Sequence, residues 1–221
     1  MDGILNIYKP AGMSSFRCMS IVKRKLRLTK VGFLGTLDPL ASGVLVLLCG
    51  RATKLADKLH QNTKVYQSVF TFGIETTTLD NEGEVVATSK VIPSRADIEK
   101  ILPEMVGDIE IEVPKFSAVH INGKRAYDLA RRGVEFTPPR KVVKVDRFEL
   151  LEQRSEKEFF VEIECQTGTY IRSLAKLMAT RLGTLAIAST IIRTRVGEFA
   201  IEGAKCLADV TIDDILGIAL S

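Results

Sequence analysis

One carboxylate stands on a turn between glycines in the stretch Gly32-Phe33-Leu34-Gly35-Thr36-Leu37-Asp38-Pro39-Leu40-Ala41-Ser42-Gly43. Pro39 fixes its own φ and keeps Asp38 out of the helical region, while the glycines allow positive φ and a close approach of a ligand to the backbone. The apolar run at residues 44–48 follows directly and predicts a strand that is buried on both faces. An ordinary Asp-Pro turn accounts for the same residues, so this stretch alone does not assign a function.

The segments around this turn alternate between strand and helix patterns. A capping box formed by Ser94 and Asp97 starts one helix, which Pro103 should kink or shorten. The remaining predicted elements are strands at 3–8, 64–73, 142–151 and 159–165, and helices from Ser14 or Ser15 to about residue 26, at 126–132 and from about 170 to 182. Because strict βαβ spacing is missing, the order predicts an α+β fold with a mixed sheet.

Composition permits one sizeable core and points to an anionic partner. The chain has 221 residues, of which 46% are hydrophobic, and a net charge of +4. The charge is concentrated, because residues 124–147 hold eight basic and three acidic side chains, and residues 23–30 form a second basic cluster. A solvated helix face is the better explanation of an isolated basic run, but two such runs favour an RNA surface.

Cysteine and glycine patterns argue against metal and nucleotide cofactors. The four cysteines, which lie far apart without C-x-x-C spacing, are predicted to be reduced core residues of a cytosolic protein. Neither of the glycine-rich phosphate-binding motifs occurs. The N-terminus shows no signal peptide, and the longest apolar run, at 44–49, is too short to cross a bilayer. We therefore predict no cofactor and no metal.

Five ordered blocks of sequence resemble one enzyme family. The stretch 32–43 is similar to the active-site loop of the TruB-family pseudouridine synthases, G-H-x-G-T-L-D-P-x-A-[TS]-G, with Phe33 in place of the usual histidine. The other blocks that resemble the family lie at residues 9–15, 64–66 with 72–83, 114–133, and 165–174 with 193–199. Together they cover nearly the whole chain, which makes coincidence implausible.

The resemblance implies a fold and a domain organisation. We expect the pseudouridine synthase fold, an α+β fold with a central mixed, largely antiparallel sheet flanked by helices and loops. Residues 1–221 would form a single catalytic domain with a basic, RNA-clamping insertion at about 107–144. Bacterial relatives usually carry a further PUA-like RNA-binding domain after the last motif. Only 22 residues follow Phe199, so the expectation is that this domain is absent.

The resemblance also implies an activity. The protein would act in the cytoplasm on the T-arm stem-loop of tRNA and isomerise the T-loop uridine, position 55, to pseudouridine. The reaction breaks the C1′–N1 bond of a flipped nucleotide and joins C1′ to C5. It would need no cofactor, no metal and no obligatory protein partner.

Three residues are the catalytic candidates. Asp38 would act as nucleophile at C1′ or as base at C2′, two routes that the sequence does not separate. Arg172 would pair with Asp38 and keep it ionised, and Tyr66 would stack on the flipped uracil and move a proton. A surface ion pair for Arg172 and a core position for Tyr66 are the plainer alternatives.

The remaining candidates would bind the RNA. By resemblance, the target nucleotide would be contacted by Lys9, Phe33, Tyr170 and Ile191. The ring at Phe33 can still stack on a base although it lacks the histidine nitrogen. The candidates for phosphate contacts are Arg131, Arg132, Arg140 and Lys141.

Other functions stay open at this stage. The chain could act on other RNA stem-loops. It could belong to the related branch guided by a small RNA and partner proteins, although members of that branch also carry the C-terminal domain. It could also be a tRNA-binding folding chaperone with weak or lost catalysis, for which Phe33 is the only hint.

Overall fold

The computed structural model describes residues 1–121 and 123–217. Within these ranges the chain forms thirteen strands and five α-helices. The strands are β1 Gly3–Lys9, β2 Val31–Leu34, β3 Ser42–Cys49, β4 Lys64–Phe72, β5 Ile74–Thr76, β6 Val85–Thr88, β7 Gly107–Glu112, β8 His120–Ile121, β9 Lys124–Arg125, β10 Arg140–Gln153, β11 Glu158–Cys165, β12 Ala186–Val196 and β13 Phe199–Ala200. The helices are α1 Ser15–Lys25, α2 Ala56–His60, α3 Arg95–Ile101, α4 Ala126–Arg131 and α5 Ile171–Arg181.

The main sheet is mixed, which confirms the predicted fold class. Its strand order is β1-β3-β12-β4-β11-β10-β7, with β2 paired to β3 and β13 paired to β12. Strand β3 runs antiparallel to β1 and β2, and β10 runs antiparallel to β7. Strands β3 and β12 are parallel, with Arg193 opposite Gly43. Two smaller sheets are formed by β5 with β6 and by β8 with β9.

The chain divides into two compact units. The first consists of Met1–Gln67, Glu164–Thr167 and the described part of Ile191–Ser221. The second consists of Ser68–Ile163 and Gly168–Thr190.

The first unit is built on β3, all eight residues of which are buried. Alternate residues enter two apolar clusters, because successive side chains of a strand point to opposite faces. Leu45 and Leu47 pack with Cys18 and Val22 of α1, whereas the residues between them enter a second cluster that contains Phe199. The apolar run after the Asp38 turn therefore forms a strand buried on both faces, as predicted.

The second unit contains α3, α4 and α5. Helix α3 begins with the predicted capping box, in which the side chains of Ser94 and Asp97 each bind the other's backbone amide. It ends at Ile101, and Pro103 lies in the 3₁₀ turn Leu102–Met105, so the proline stops the helix rather than kinking it. Helix α5 buries Ile171, Leu174 and Met178 among others.

The basic insertion is more regular than the sequence indicated. We expected loops around a short helix at about 107–144, and α4 is that helix. Residues 107–112 and 140–145, however, pair as β7 and β10. Their buried residues alternate, with Ile109 and Ile111 on one strand and Val143 and Val145 on the other, which is the period of a half-buried strand.

Three of the four cysteines are buried, as predicted, at positions 18, 49 and 165. The prediction is wrong for Cys206, which is exposed. No helix in the described part of the chain is both long and apolar enough to cross a membrane.

Candidate active site

Asp38 lies on the connection between β2 and β3 in the first unit. Gly35 and Gly43 have φ values of 62° and 104°, the left-handed region that the glycine pattern predicted. A Cβ atom at Gly43 would lie 2.2 Å from the carbonyl oxygen of Arg193, so the close approach of β12 requires glycine there. The Ala41 amide donates to the Asp38 carbonyl over 3.1 Å, which closes the turn that carries the half-buried carboxylate.

The Asp38 turn is held against the start of α1. The hydroxyl of Ser15 accepts from the Leu37 amide and donates to the Leu37 carbonyl, both over 2.9 Å, and Ser15 is buried. Fully buried Lys9 donates to the carbonyls of Pro10, Met13 and Pro39. These contacts fix the residues on both sides of Asp38. The role of Lys9 in the structure is to support this backbone, and a direct contact with substrate stays a prediction.

Arg193 connects the two ends of the Asp38 turn. Its side chain is fully buried, Nε donates to the Val44 carbonyl over 2.8 Å, and Nη2 lies 3.5 Å from the Leu34 carbonyl. A Cβ atom at Gly35 would lie 3.2 Å from Nη1. The guanidinium therefore occupies the space beneath the turn and bridges the strands that enter and leave it.

Tyr66 lies in the same environment as Asp38. It is 8% exposed, and the charged and titratable groups that act on its hydroxyl are Arg193, Asp38 and Cys165. Burial raises the pKa of Tyr66, and the Arg193 guanidinium opposes this rise both by its charge and by a hydrogen bond. Asp38 and Tyr66 thus belong to the same unit, with Arg193 acting on Tyr66, and the catalytic roles of Asp38 and Tyr66 stay predictions.

Lys64 provides a second buried cation at this site. Its ammonium group donates to the carbonyls of Asn62 over 2.7 Å and His60 over 3.1 Å. Burial and then the charge of Arg193 lower the pKa of Lys64 to about 8. The Asp38 turn therefore has two positive side chains beneath it, which favours an anion in the site.

The other nucleotide-binding candidates of this unit lie on β12 and β2. Ile191 is buried on the same face of β12 as Arg193, since alternate residues of a strand share a face. Phe33, on β2, is half-buried and packs against the apolar cluster that contains Leu47. Their contacts with a nucleotide stay predictions.

Arg172 has well-defined partners in the second unit. It is buried at the start of α5, its Nη1 lies 3.6 Å from Oδ2 of Asp80, and it donates to the carbonyls of Thr78 over 2.7 Å and Phe116 over 3.1 Å. Asp80 also accepts from the Thr78 hydroxyl and the Glu82 amide. Arg172 thus anchors two loops of its own unit, and its pairing with Asp38 stays a prediction.

We expect Asp80→Ala to lower the free energy of unfolding by about 3 to 5 kcal/mol. The Asp80 and Arg172 side chains are both under 5% exposed, and the substitution removes the carboxylate that pairs with the buried Arg172 charge. Urea denaturation monitored by circular dichroism measures the loss. The matched control is Glu99→Gln, which removes the exposed pair with Arg95 and should cost no more than about 0.5 kcal/mol. Equal losses for the two variants would contradict the prediction.

Tyr170 immediately precedes α5, and the side chain of Lys141 lies over its ring. The Lys141 ammonium group lies 4.5 Å from the ring centroid and donates to the Gly168 carbonyl. Burial lowers the pKa of Lys141. Lys141, which we predicted to contact the RNA backbone, thus contacts Tyr170, and a contact with a phosphate stays a prediction.

The other predicted phosphate contacts lie on the surface of the second unit. Arg131 and Arg132 are exposed at the end of α4, with Arg131 over the ring of Tyr127 at 5.6 Å from the centroid. Arg140 forms an exposed ion pair of 3.2 Å with Glu110. These three side chains are accessible to RNA, whereas Lys141 is half-buried.

Comparison with known sequences decides the family. Residues 23–171 match the model of the TruB family pseudouridylate synthase, N-terminal domain. The chain belongs to the TruB family. A relative from Geobacillus thermodenitrificans strain NG80-2, tRNA pseudouridine synthase B, is 40% identical over 230 residues that cover 98% of this chain and 76% of the relative. The protein of the same name from Bacillus cereus strain ATCC 14579 is 41% identical over 97% of this chain and 71% of the relative. The predicted resemblance is confirmed.

Solved structures confirm the fold of this TruB-family chain. A chain of a Cbf5-Nop10-Gar1 complex superimposes with a TM-score of 0.72 at 29% identity, and a chain of an H/ACA RNP bound to a substrate RNA containing 2′-deoxyuridine superimposes with a TM-score of 0.70 at 26% identity. Each match covers 94% of this chain. The chain spans about half the length of these two, at 53% and 51%.

Three of the residues described above received no role from the sequence. Arg193, Lys64 and Asp80 were quoted only as parts of motifs. An arginine in a segment rich in β-branched residues, Ala186–Val196, is a signal for a strand with a buried cation, but its partners are carbonyl groups about 150 residues earlier in the chain. Carbonyl groups leave no pattern in a sequence, so the contact is visible only in the fold.

Proposed function

We propose that the protein isomerises a uridine of tRNA to pseudouridine. The observation that supports this proposal is the fixed Asp38 turn of the first unit, held by Ser15 and by the buried Arg193 guanidinium. A single carboxylate on a fixed turn beside a buried aromatic ring is what glycosidic bond cleavage and rotation of a flipped base require. The relatives named tRNA pseudouridine synthase B supply the substrate class.

The reaction needs only groups that the chain supplies. The C1′–N1 bond breaks while Asp38 either bonds to C1′ or removes the C2′ proton, and the released uracil anion rotates in the pocket. C5 then bonds to C1′ while the Asp38–C1′ bond breaks or, on the other route, while C2′ regains its proton from Asp38. The C5 proton then leaves and N1 gains a proton, so product and substrate have the same atoms. In this proposal Tyr66 stacks on the base and moves the C5 proton. The Arg193 and Lys64 cations favour the anionic intermediates.

The finer substrate assignment is also part of the proposal. The target is the T-loop uridine of the T-arm stem-loop, and the enzyme acts in the cytoplasm without an obligatory protein partner. The relatives that support this are bacterial tRNA pseudouridine synthases, and the exposed Arg131 and Arg132 suit the phosphates of an RNA stem.

Mapping of pseudouridine in tRNA tests the proposal. Purified protein incubated with unmodified tRNA, and separately with a T-arm stem-loop oligonucleotide, should produce pseudouridine at the T-loop position in both. Total tRNA from cells with and without the protein should differ at the same position. Binding without product would contradict the proposed reaction and favour a tRNA-folding role. Product at another position only would contradict the T-arm assignment.

Charge removal at Arg131 and Arg132 should weaken RNA binding and reduce its salt dependence. Each lost phosphate contact lowers the slope of log affinity against log salt concentration by about 0.7 to 0.9. Filter binding of tRNA between low and moderate salt, with both residues changed to Gln, measures the slope. The control is Arg95→Gln with Lys100→Gln on α3, which should leave the slope unchanged. An unchanged slope for the α4 variant would identify that face as merely solvated.

A further inference from the structure

Phe16 is an exposed aromatic residue on the first turn of α1. It is 67% exposed, the largest fraction among the large hydrophobic residues that the structure describes. Single exposed apolar residues are common on protein surfaces, so the exposure alone does not indicate a function. Its position relative to the Asp38 turn is the observation that does.

The backbone of Phe16 is fixed close to Asp38. Ser15 and Leu37 share two hydrogen bonds of 2.9 Å, and these residues directly precede Phe16 and Asp38 in the chain. Adding bond lengths along this path gives a separation of at most about 14 Å between the Cα atoms of Phe16 and Asp38. At about 3.4 Å per stacked nucleotide, this span between the two Cα atoms corresponds to roughly four nucleotides.

The surroundings of Phe16 suit a nucleic acid better than a protein partner. Its exposed neighbours within three residues along the chain include Ser14 and Arg17, which are polar and charged. Lys23 lies two turns further on the same helix face, about 10 Å along the axis, and exposed Arg24 lies beside it. Helix α1 contains no acidic residue. An aromatic ring with cations beyond it along the helix can stack on a base while the cations bind the phosphates of the adjoining nucleotides.

We propose that Phe16 stacks on an unpaired nucleobase of the bound RNA that neighbours the target uridine. This inference rests on the proposed function for the position of the target, but its test does not require turnover. The ring provides a platform for a base of any sequence, because every base has a π face. Arg17, Lys23 and Arg24 contact the phosphates that lead away from this base.

The chain contains no tryptophan, which makes Phe16→Trp a direct probe. The probe ligand is the unmodified T-arm stem-loop RNA, used with full-length protein. Stacking should quench the fluorescence of the new tryptophan as RNA is added, with the same midpoint as in filter binding. Phe16→Ala should raise Kd by about 5- to 140-fold, the range covered by one base–aromatic stack. RNA with 2-aminopurine at each loop position in turn then identifies the stacked nucleotide.

Ile212 provides the matched control. It is another exposed apolar residue of the first unit, but Asp213 and Asp214 follow it and repel RNA. Ile212→Trp should show no quenching, and Ile212→Ala should leave Kd and turnover unchanged.

An unchanged Kd for Phe16→Ala, or an unquenched tryptophan at position 16 on bound RNA, would overturn the stacking proposal while leaving the proposed function standing. Quenching and the predicted rise in Kd without any pseudouridine formation by the parent protein would support stacking and contradict the proposed function. Thermal unfolding of each variant checks that Kd changes do not arise from loss of structure.

Discussion

Asp38→Asn is expected to reduce pseudouridine formation by a factor on the order of 10⁴ or more, as removal of a nucleophilic group does in other enzymes. The amide has nearly the same shape as the carboxylate but neither attacks C1′ nor removes the C2′ proton at a useful rate. The turn should persist, because its hydrogen bonds use the backbone of Leu37, Asp38 and Pro39. Tritium release from C5-labelled uridine in tRNA measures the reaction.

Binding of tRNA should survive this change, since a carboxylate contributes no attraction to a polyanion. Filter binding with the same tRNA provides that measurement. Asp57→Asn, at an exposed carboxylate of the same unit, is the control and should match the parent in both assays. Substantial turnover by Asp38→Asn, or equal loss in the control, would remove Asp38 from the reaction.

Arg193→Lys is expected to lower the bound-state rate by about 100-fold, the effect of displacing a reacting group by roughly 1 Å. Lysine keeps a charge but lacks the fork that joins the carbonyls of Leu34 and Val44. Single-turnover kinetics at saturating enzyme measure the rate. The free energy of unfolding should fall by about 1.5 to 3 kcal/mol, as expected for loss of hydrogen bonds to a charged group.

The control for Arg193 lies two residues further along β12. Arg195 pairs with Glu164 over 2.7 Å at the surface, and Arg195→Lys should leave the rate unchanged. A double-mutant cycle with Tyr66→Phe separates positioning from general destabilisation. If Arg193 acts through the Tyr66 hydroxyl, Arg193→Lys should cost less rate in the Tyr66→Phe background. Strictly additive losses would show that Arg193 does not act through the Tyr66 hydroxyl.

The pH dependence gives a second signature of Arg193. Its guanidinium stabilises the Tyr66 phenolate and so opposes the rise in the Tyr66 pKa caused by burial. Arg193→Met removes this opposition, the pKa of Tyr66 rises further, and a limb of the pH–rate profile that belongs to Tyr66 moves to higher pH. Arg193→Met also raises the pKa of Lys64, whose pKa the Arg193 charge lowers, so the limb that belongs to Tyr66 is identified as the one absent from Tyr66→Phe.

Local chemistry explains which parts of the fold were predictable from sequence. The glycines and Pro39 of the Asp38 turn, the capping box at Ser94 and the apolar run of β3 each act through neighbouring residues, and each forms as predicted. Pairing of β7 with β10 was missed because it joins segments about thirty residues apart, and the proline and glycine residues between them masked the alternation of buried Ile109 and Ile111.

The site was predictable in its chemistry but only partly in its contacts. Resemblance assigned Asp38 and Tyr66, and the fold brings them into one environment. The partners of Arg172 and Arg193 are mainly backbone carbonyls, which every residue carries, so no sequence pattern distinguishes them. We likewise predicted from the sequence that Lys141 contacts the RNA backbone. The sequence shows the charge of Lys141 but not its burial or its position over the Tyr170 ring.

The bonds between Ser15 and Leu37 determine which molecule must rearrange when the complex forms. The Leu37 amide is outside the strands, yet its acceptor is buried, so its proton should exchange with solvent as slowly as one within a sheet. Because the Asp38 turn is already fixed in this way, it loses little conformational entropy when RNA binds. The RNA is therefore the molecule that changes conformation on binding. Substrates in which the target uridine is already unstacked need less free energy to reach the bound conformation.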